Sequence, residues 1–429
     1  MSSLVSDEIG VSTLKLRAGL DVDLAGQPKQ EISAGAAISE VGVMGSDFPD
    51  IRPKLCVAVG DKVRTGDTLF VDRKRNQIAF TAPATGTIAS ISRGRRRTLE
   101  TLTISVEEEN PKEFPISDGK LTPESVRSLL QASGLWVAFL TRPFGRIPDP
   151  AAVPHAIFVT AINTDPLSAD AAVVMAPQHN NFVQGLEALK TLTKGPVFVC
   201  QQSGAQFAQT DEQIKTAFFD GPHPAGLAST HIHHLMPASE RRTVWHIDFS
   251  DVIAIGHLFG KGQLLTERIV SIAGSGVRHP RLIRTRLGAQ LNQLLDRETT
   301  VGSRVISGSA LSGRVATHLG RYDTQVAVFD STRSAKKPTF WSRALSLLPN
   351  GSVGPTIPSE ALDAALPFDI LATPLMRALS VGDIETAIHL GCLELIEEDV
   401  ALLSYLCPSR ADYGMLLRHI LDEIAGEQE

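Results

Sequence analysis

The chain is poor in the residues and patterns that most quickly betray a function. Its 429 residues include four cysteines, Cys56, Cys200, Cys392 and Cys407, too few and too scattered for a disulfide scaffold, which points to a reducing cytosol. No apolar run approaches the roughly 18 residues needed to cross a bilayer. The opening MSSLVSDEIG has neither the basic nor the apolar region of a signal peptide, so a soluble chain is expected. Aromatic residues make up 5% of the chain and do not interleave with its basic segment, which argues against nucleic acid. His-Glu-x-x-His, Cys-x-x-Cys and Gly-x-Ser-x-Gly are all missing, which removes the common zinc, redox and acyl-hydrolase signatures.

What is present is ordinary globular material, 43% hydrophobic and 21% charged, enough for about three average domains. The net charge of −6 hides a strong asymmetry. From Arg52 to Arg97 eleven basic residues face three aspartates, a local +8. From Asp383 onward eleven acidic residues face two arginines, a local −9. Such polarity steers a protein toward an oppositely charged partner, although single runs commonly decorate solvated turns.

Between Ile51 and Val106, short alternating segments are punctuated by Gly60-Asp61 and Gly66-Asp67 turns, followed by Ala82-Pro83-Ala84-Thr85-Gly86. This is the pattern of a biotinyl/lipoyl-like barrel-sandwich. Lys74 stands near the tip that carries a swinging arm in carrier proteins. Its neighbours Asp72, Arg73, Arg75 and Asn76 are not those that ligases read, so an unmodified structural module is expected.

Thr122-Pro123 opens a helix that Gly134 ends. Apolar runs Trp136–Leu140, Ala156–Thr160, Ala171–Met175 and Pro196–Cys200 have strand character and alternate with a helix over Phe182–Leu192, suggesting a Rossmann-like α/β layer. No strand leads into Gly-x-Gly-x-x-Gly, so no dinucleotide site is expected. Gly256-His-Leu-Phe-Gly260-Lys261-Gly262 imitates a phosphate loop but is one residue short and lacks the Ser or Thr that reaches magnesium. Arg268–Ala273 and Leu282–Thr285, a helix with Leu287, Leu291, Leu294 and Leu295, and strands Arg304–Ser307 and Gln325–Phe329 follow the plan of a β-grasp module. Ser334–Pro358 reads as a linker, and Ile384–Leu390, Glu397–Leu406 and Tyr413–Ile424 as helices. The resulting fold class is α/β multidomain. Its divisions are an N-terminal segment with the barrel (1–114), the Rossmann-like domain (115–257), the β-grasp (258–332), and linker plus helical domain (333–429).

Polar clusters are sparse. His223, His231, His233 and His234 form the densest; on a strand, positions two apart share a face and could ligate a metal, but no third ligand lies nearby. Hydrogen-bonded structural histidines are the expectation, with no metal site. Thr141-Arg142-Pro143-Phe144 sets a cation beside an aromatic ring, fit for an anionic or quinone-like headgroup or for a packing corner.

Taken together, the landmarks resemble the A subunit of the sodium-translocating NADH:quinone reductase. Gly19-Leu20-Asp21 and the barrel with Phe80-Thr81-Ala82-Pro83-Ala84 come first, then Thr141–Phe144 and Ile157–Ala161. The most specific run is Phe219–Ala228, ending in Thr230-His231. Arg281-Leu282, Ile306–Ser309, Leu319–Tyr322, Gly391–Leu395 and Cys407-Pro408 extend the resemblance over nearly the whole chain.

The resemblance implies a peripheral subunit, without transmembrane helix, on the cytoplasmic face of a bacterial inner membrane. It would belong to a six-subunit complex that passes electrons from NADH to ubiquinone and exports sodium. The expected partners are the other subunits, especially the membrane subunits, and ubiquinone. The resemblance further implies no covalently bound cofactor and no FMN or Fe–S centre in this chain, and the residues themselves offer no catalytic set. A quinone needs an apolar slot with one or two donors. Ile38, Val41, Val43, Met44 and Phe48, with Arg142 and Phe144, are the candidate quinone-binding residues. The alternative is a cofactor-free structural adaptor of that complex or of a related Rnf-type one, although the Rnf C subunit carries Cys-rich motifs absent here.

Overall fold

The computed structural model describes residues 3–6, 12–95, 98–116, 121–296, 298–330, 357–409 and 411–428. The chain begins with three short strands, β1 (Ser3–Ser6), β2 (Ser12–Lys15) and β3 (Lys29–Ala34). The first compact unit then builds from β4 (Glu40–Met44), β5 (Pro53–Leu55), β6 (Lys62–Val63), β7 (Thr68–Asp72), β8 (Ala79–Thr81), β9 (Gly86–Arg93) and β10 (Leu99–Val106). They form a four-stranded sheet, β4-β10-β9-β6, and a three-stranded sheet, β5-β7-β8. Leu69, Phe70 and Phe80 of the smaller sheet share a core with Val63, Ile88, Leu102 and Ile104 of the larger.

The repeated Gly-Asp pairs explain the turns. Gly60 and Gly66 both sit at φ +93°, where a side chain is strained. The following Asp61 and Asp67 carboxylates accept the backbone N–H groups of Ala58 and Arg64, each at 2.8 Å, and close the loops locally.

The second unit contains α1 (Pro123–Ser133), β11 (Leu140–Arg142), β12 (Ile157–Ala161), α2 (Ala171–Met175), α3 (His179–Leu192), β13 (Val197–Gln201), β14 (Ile214–Asp220), α4 (Ala228–Leu235), β15 (Val244–Asp248) and α5 (Phe249–Lys261). Its seven-stranded sheet runs β1-β2-β14-β13-β12-β15-β11, with β2, β14, β13, β12 and β15 mutually parallel. Ile157 and Val159 point into the core shared with α3 and α5, while Phe158 between them joins the core under α4. The sheet is therefore buried on both faces, as a mostly parallel sheet must be. Gly256 lies inside α5, where a Cβ would come 1.7 Å from the Asn181 carbonyl of α3, and Gly262 at φ +69° ends that helix. The apparent phosphate loop is thus a helix crossing and its C-cap.

Two apolar runs differ from the strand reading. Trp136–Leu140 contains a 3₁₀ turn, Leu135–Ala138, and only its last residue enters β11. Ala171–Met175 is the helix α2, because Asp170 accepts the Ala172 N–H at 2.8 Å and caps it. An unbroken apolar run carries no period to tell strand from buried helix.

The third unit holds β16 (Glu267–Ala273), β17 (Arg281–Arg286), the short helix α6 (Leu291–Leu295), β18 (Ser303–Ser307) and β19 (Gln325–Asp330). Strand order is β18-β19-β16-β17-β3. Leu287 lies in the turn before α6 rather than on it. The N-terminal segment, grouped with the barrel on sequence grounds, is shared out differently: β2 extends the second sheet and β3 the edge of the third.

Helices at Glu360–Ala365, Ala372–Val381, Ile384–His389, Ala401–Leu406 and Tyr413–Gln428 close around Leu375, Leu379, Leu403, Leu417 and Leu421. The expected linker lies outside the described residues apart from 357 and 358. Among the described residues no helix is long and apolar enough to cross a membrane.

Candidate functional site

In the second unit β12 has β13 on one side and β15 on the other, so the chain reverses its direction of travel across the sheet there. The crevice beyond the carboxyl ends of such strands is where open α/β sheets hold ligands. Here a space of about 170 Å³ remains, lined by charged side chains of the chain itself. Asp251 at the start of α5 accepts from Arg268 at 2.5 Å and from Arg321 at 3.0 Å. Burial raises the Asp251 carboxyl, but the two guanidinium groups outweigh it and hold the pKa below its usual range. Asp248, buried beside Asp251, is pushed up to about 6. Asp165, Asp323 and Glu398 complete a set of five carboxyls around two arginines. That balance repels a pyrophosphate, the opposite of what a nucleotide loop provides.

Arg142 lies beside this crevice with no exposed surface. Its Nε donates to the Ser229 hydroxyl at 3.1 Å, its Nη1 lies 2.6 Å from His246 Nε2, and Glu398 is 3.7 Å from Nη2. Ser229 passes the contact on, donating to Asp399 at 2.6 Å. Burial and the neighbouring guanidinium push His246 well below the usual imidazole range, so it accepts as the neutral ring. Burial against Asp399 moves Glu398 up to about 8, although about a third of its side chain still reaches solvent. Phe144, at φ 81°, packs against the C-terminal helical core, and its carbonyl accepts from Arg418 at 2.7 Å. Arg142 and Phe144 therefore fasten the helical unit to the α/β sheet.

The histidines stand on α4 or just before it, not on a strand. Two residues apart on a helix they diverge by about 200°, so His231 and His233 do not share a face. His231 is buried against Phe219, with its Nε2 at 3.0 Å from the Ala225 carbonyl, and burial drops its pKa to about 3. His233 pairs with Glu394 at 2.8 Å. His223 is buried with its Nδ1 3.3 Å from the Thr164 hydroxyl. Among the described residues no group of three or more His, Cys, Asp or Glu could hold a metal ion.

A second, apolar space lies where barrel, α/β unit and third unit meet. Val43, Phe48, Phe80 and Pro83 of the barrel face Gly134, Leu135 and Val137 after α1 and Leu264, Leu265, Leu287 and Leu319 of the third unit. Gly42 and Gly288 let these backbones touch: the Gly42 N–H donates to the Gly288 carbonyl at 2.8 Å, and a Cβ on Gly288 would come 2.3 Å from the Gly42 oxygen. Polar groups at the rim are Asp47, Thr81 and Arg321. Thr81 spends its hydroxyl proton on the Ser133 carbonyl at 2.9 Å. Asp47, pushed up to about 6 by burial, accepts from Arg314 and from the Arg321 N–H. Arg321 Nη2 is buried and has no hydrogen-bond partner among the described residues.

Of the candidates named from sequence, Val43 and Phe48 line this cleft. Val41 and Met44 lie behind it in the core, and Ile38 sits half-buried at the seam between the barrel and third-unit cores. Arg142 and Phe144 do not line it. Sequence reasoning missed Arg321, which stood inside the Leu319–Tyr322 landmark, and Leu264-Leu265; neither announces a cleft until the modules meet.

The fold and its cleft define a multidomain α/β protein with an N-terminal barrel-sandwich. Residues 14–107 match the family model of the NqrA N-terminal barrel-sandwich hybrid domain, 121–264 that of the NqrA second alpha/beta domain, and 269–318 that of the NQRA C-terminal domain. The chain belongs to the NqrA family, the A subunits of the Na(+)-translocating NADH-quinone reductase. It is 42% identical to that subunit from Rhodopirellula baltica, over 97% of this chain and 99% of the relative. The Marinomonas sp. subunit is 43% identical over 96% and 99%, and the Neisseria meningitidis serogroup C subunit 42% over 96% and 100%.

Proposed function

We propose that this chain is the peripheral, quinone-side subunit of a sodium-pumping NADH:ubiquinone reductase. Membership of that complex follows from the family, and other subunits are its partners. The observation that carries the quinone reading is the three-module cleft, about 70 Å³ as it stands: apolar walls of Val43, Phe48, Leu135 and Leu265 beside Arg321 Nη2, buried and unpartnered among the described residues. A quinone ring needs apolar contact on its faces and a donor at a carbonyl oxygen, and a buried unpaired donor favours a ligand that satisfies it. In this reading the chain works at the cytoplasmic face, binds against the membrane subunits, and positions ubiquinone while the electrons arrive from elsewhere.

The finer fold assignments belong to the same reading. We take the second unit as Rossmann-like without its nucleotide loop, supported by parallel strands with helices on both faces, and the third as β-grasp, supported by its β18-β19-β16-β17 order with α6 between β17 and β18. Neither flavin nor an iron–sulfur centre is assigned to this chain. Burial raises the Cys200 thiol far above its usual range and moves Cys392 up to about 12, which disfavours the thiolate that ligates iron.

A photoreactive ubiquinone analogue on the assembled complex tests the proposal. The expected result is labelling within 42–48, 134–137 or 264–265, with Val43→Trp, which fills the cleft, raising the KM for ubiquinone. Labelling confined to other subunits refutes the site and leaves the chain as a structural adaptor.

A further inference from the structure

The barrel carries a second groove, which shares only Phe48 with the quinone cleft. It opens between the two sheets at the end away from the Gly-Asp turns, with a volume of about 890 Å³. Its floor is apolar and nearly buried, with Ile51, Phe70 and Leu99 retaining 9%, 1% and 8% of their surface. Three exposed arginines, Arg52, Arg73 and Arg93, stand along its rim.

Among the described residues the charges around this groove are not balanced. Asp50 and Asp72 are both taken up by Arg75, at 3.3 and 2.8 Å. Glu100, the acidic residue of the groove, accepts from the Ser92 hydroxyl at 2.7 Å. Arg52, Arg73 and Arg93 make no side-chain hydrogen bond or ion pair among the described residues. Three guanidinium groups above an apolar floor match an amphiphile with an anionic phosphate, since guanidinium forks bind phosphate oxygens bidentately and the floor accepts hydrocarbon.

An acidic polypeptide is the competing occupant, and the groove suits it poorly. A peptide docking as an added strand needs backbone donors along the wall. Here Pro49 and Pro53 remove two of them, Pro53 standing on the three-stranded sheet's edge strand, β5.

We infer that the Arg52–Arg73–Arg93 groove of the barrel binds the phosphate headgroup of an anionic phospholipid and so holds the chain against a membrane surface. The inference stands whether or not the quinone cleft binds quinone.

The test is flotation of the purified full-length chain with phosphatidylcholine vesicles, with and without phosphatidylglycerol. The wild-type chain is expected to float with the anionic vesicles alone, and salt is expected to release it. The Arg52→Gln/Arg73→Gln/Arg93→Gln variant should partition about a hundredfold more weakly, at about 1 kcal/mol per basic residue near the surface. Lys62→Gln/Arg64→Gln, on the opposite turns of the barrel, should bind as the wild type. All three arginines are exposed, so an unchanged urea midpoint verifies the fold of the variant. Equal binding of the triple variant, binding that ignores phosphatidylglycerol, or complete competition by millimolar inorganic phosphate would each overturn the inference. So would loss of another subunit from the assembled complex in the triple variant with vesicle binding unchanged, which would assign the groove to an acidic polypeptide.

Discussion

Replacing Arg142 by methionine is the sharpest test of how the helical unit is joined to the sheet. The substitution keeps most of the side-chain volume but removes the guanidinium that faces Asp399, Glu398 and His246. Burial already pushes the Asp399 carboxyl up, and Arg142 is the leading group opposing it. Breaking a buried pair by deleting one partner costs about 3–5 kcal/mol, because the remaining charge stays desolvated. With a urea m-value of about 2 kcal/mol/M, the midpoint at pH 7 should fall by about 2 M. Trp136 and Trp245, buried 5.4 Å apart in the α/β unit, report the transition by fluorescence. The Arg142→Met/Asp399→Asn double variant should recover most of the loss, since neither partner is then charged. The deficit of the single variant should also shrink as the pH is lowered, because burial already pushes the Asp399 carboxyl toward its protonated form. A single-variant loss below about 1 kcal/mol, or a double variant no better than the single, would refute the buried-pair reasoning.

Glu398, raised from 4.5 to about 8, keeps a proton in the folded chain that the unfolded chain has released between those values. The native state therefore binds more protons there, and stability falls as pH rises from about 4.5 to about 8 and levels off above that. Urea midpoints at pH 6.5 and pH 9 should show that fall, and Glu398→Gln should flatten it. Gly256→Val places a Cβ against the Asn181 carbonyl and forces α3 from α5, at about 1–3 kcal/mol or more; an unchanged thermal midpoint by circular dichroism contradicts the close crossing. Leu421→Ala, at a fully buried position, should cost about 2–5 kcal/mol and expose the C-terminal helices to protease before the barrel.

The elements legible in the sequence are those fixed by neighbours along the chain. Thr122-Pro123 and Gly134 bracket α1 because a cap and a left-handed residue act within one turn: Thr122 accepts the Ser125 N–H, and Gly134 adopts φ 78°. The Gly-Asp turns are readable for the same reason. Ala171–Met175 misleads although Asp170 stands at its start, since an apolar run hides its period and a single cap is a weak signal. The histidine cluster is more instructive: a strand would put His231 and His233 on one face, and the helix turns them apart.

The barrel's turns, the capped helices, the family and the absence of a dinucleotide fingerprint are all written in residue order, because each rests on local chemistry or on landmarks that follow one another along the chain. The candidate cleft belongs instead to the tertiary structure. Val43 meets Leu265 and Arg321 only because Gly42 and Gly288 let two backbones touch across 246 residues of chain. Arg142 is readable as a cation beside an aromatic ring, yet its partners Ser229, His246 and Asp399 come from three distant segments. Long-range contacts of this kind depend on how whole units dock, and that docking is set by buried area and charge pairing summed over surfaces, which no short window of residues contains.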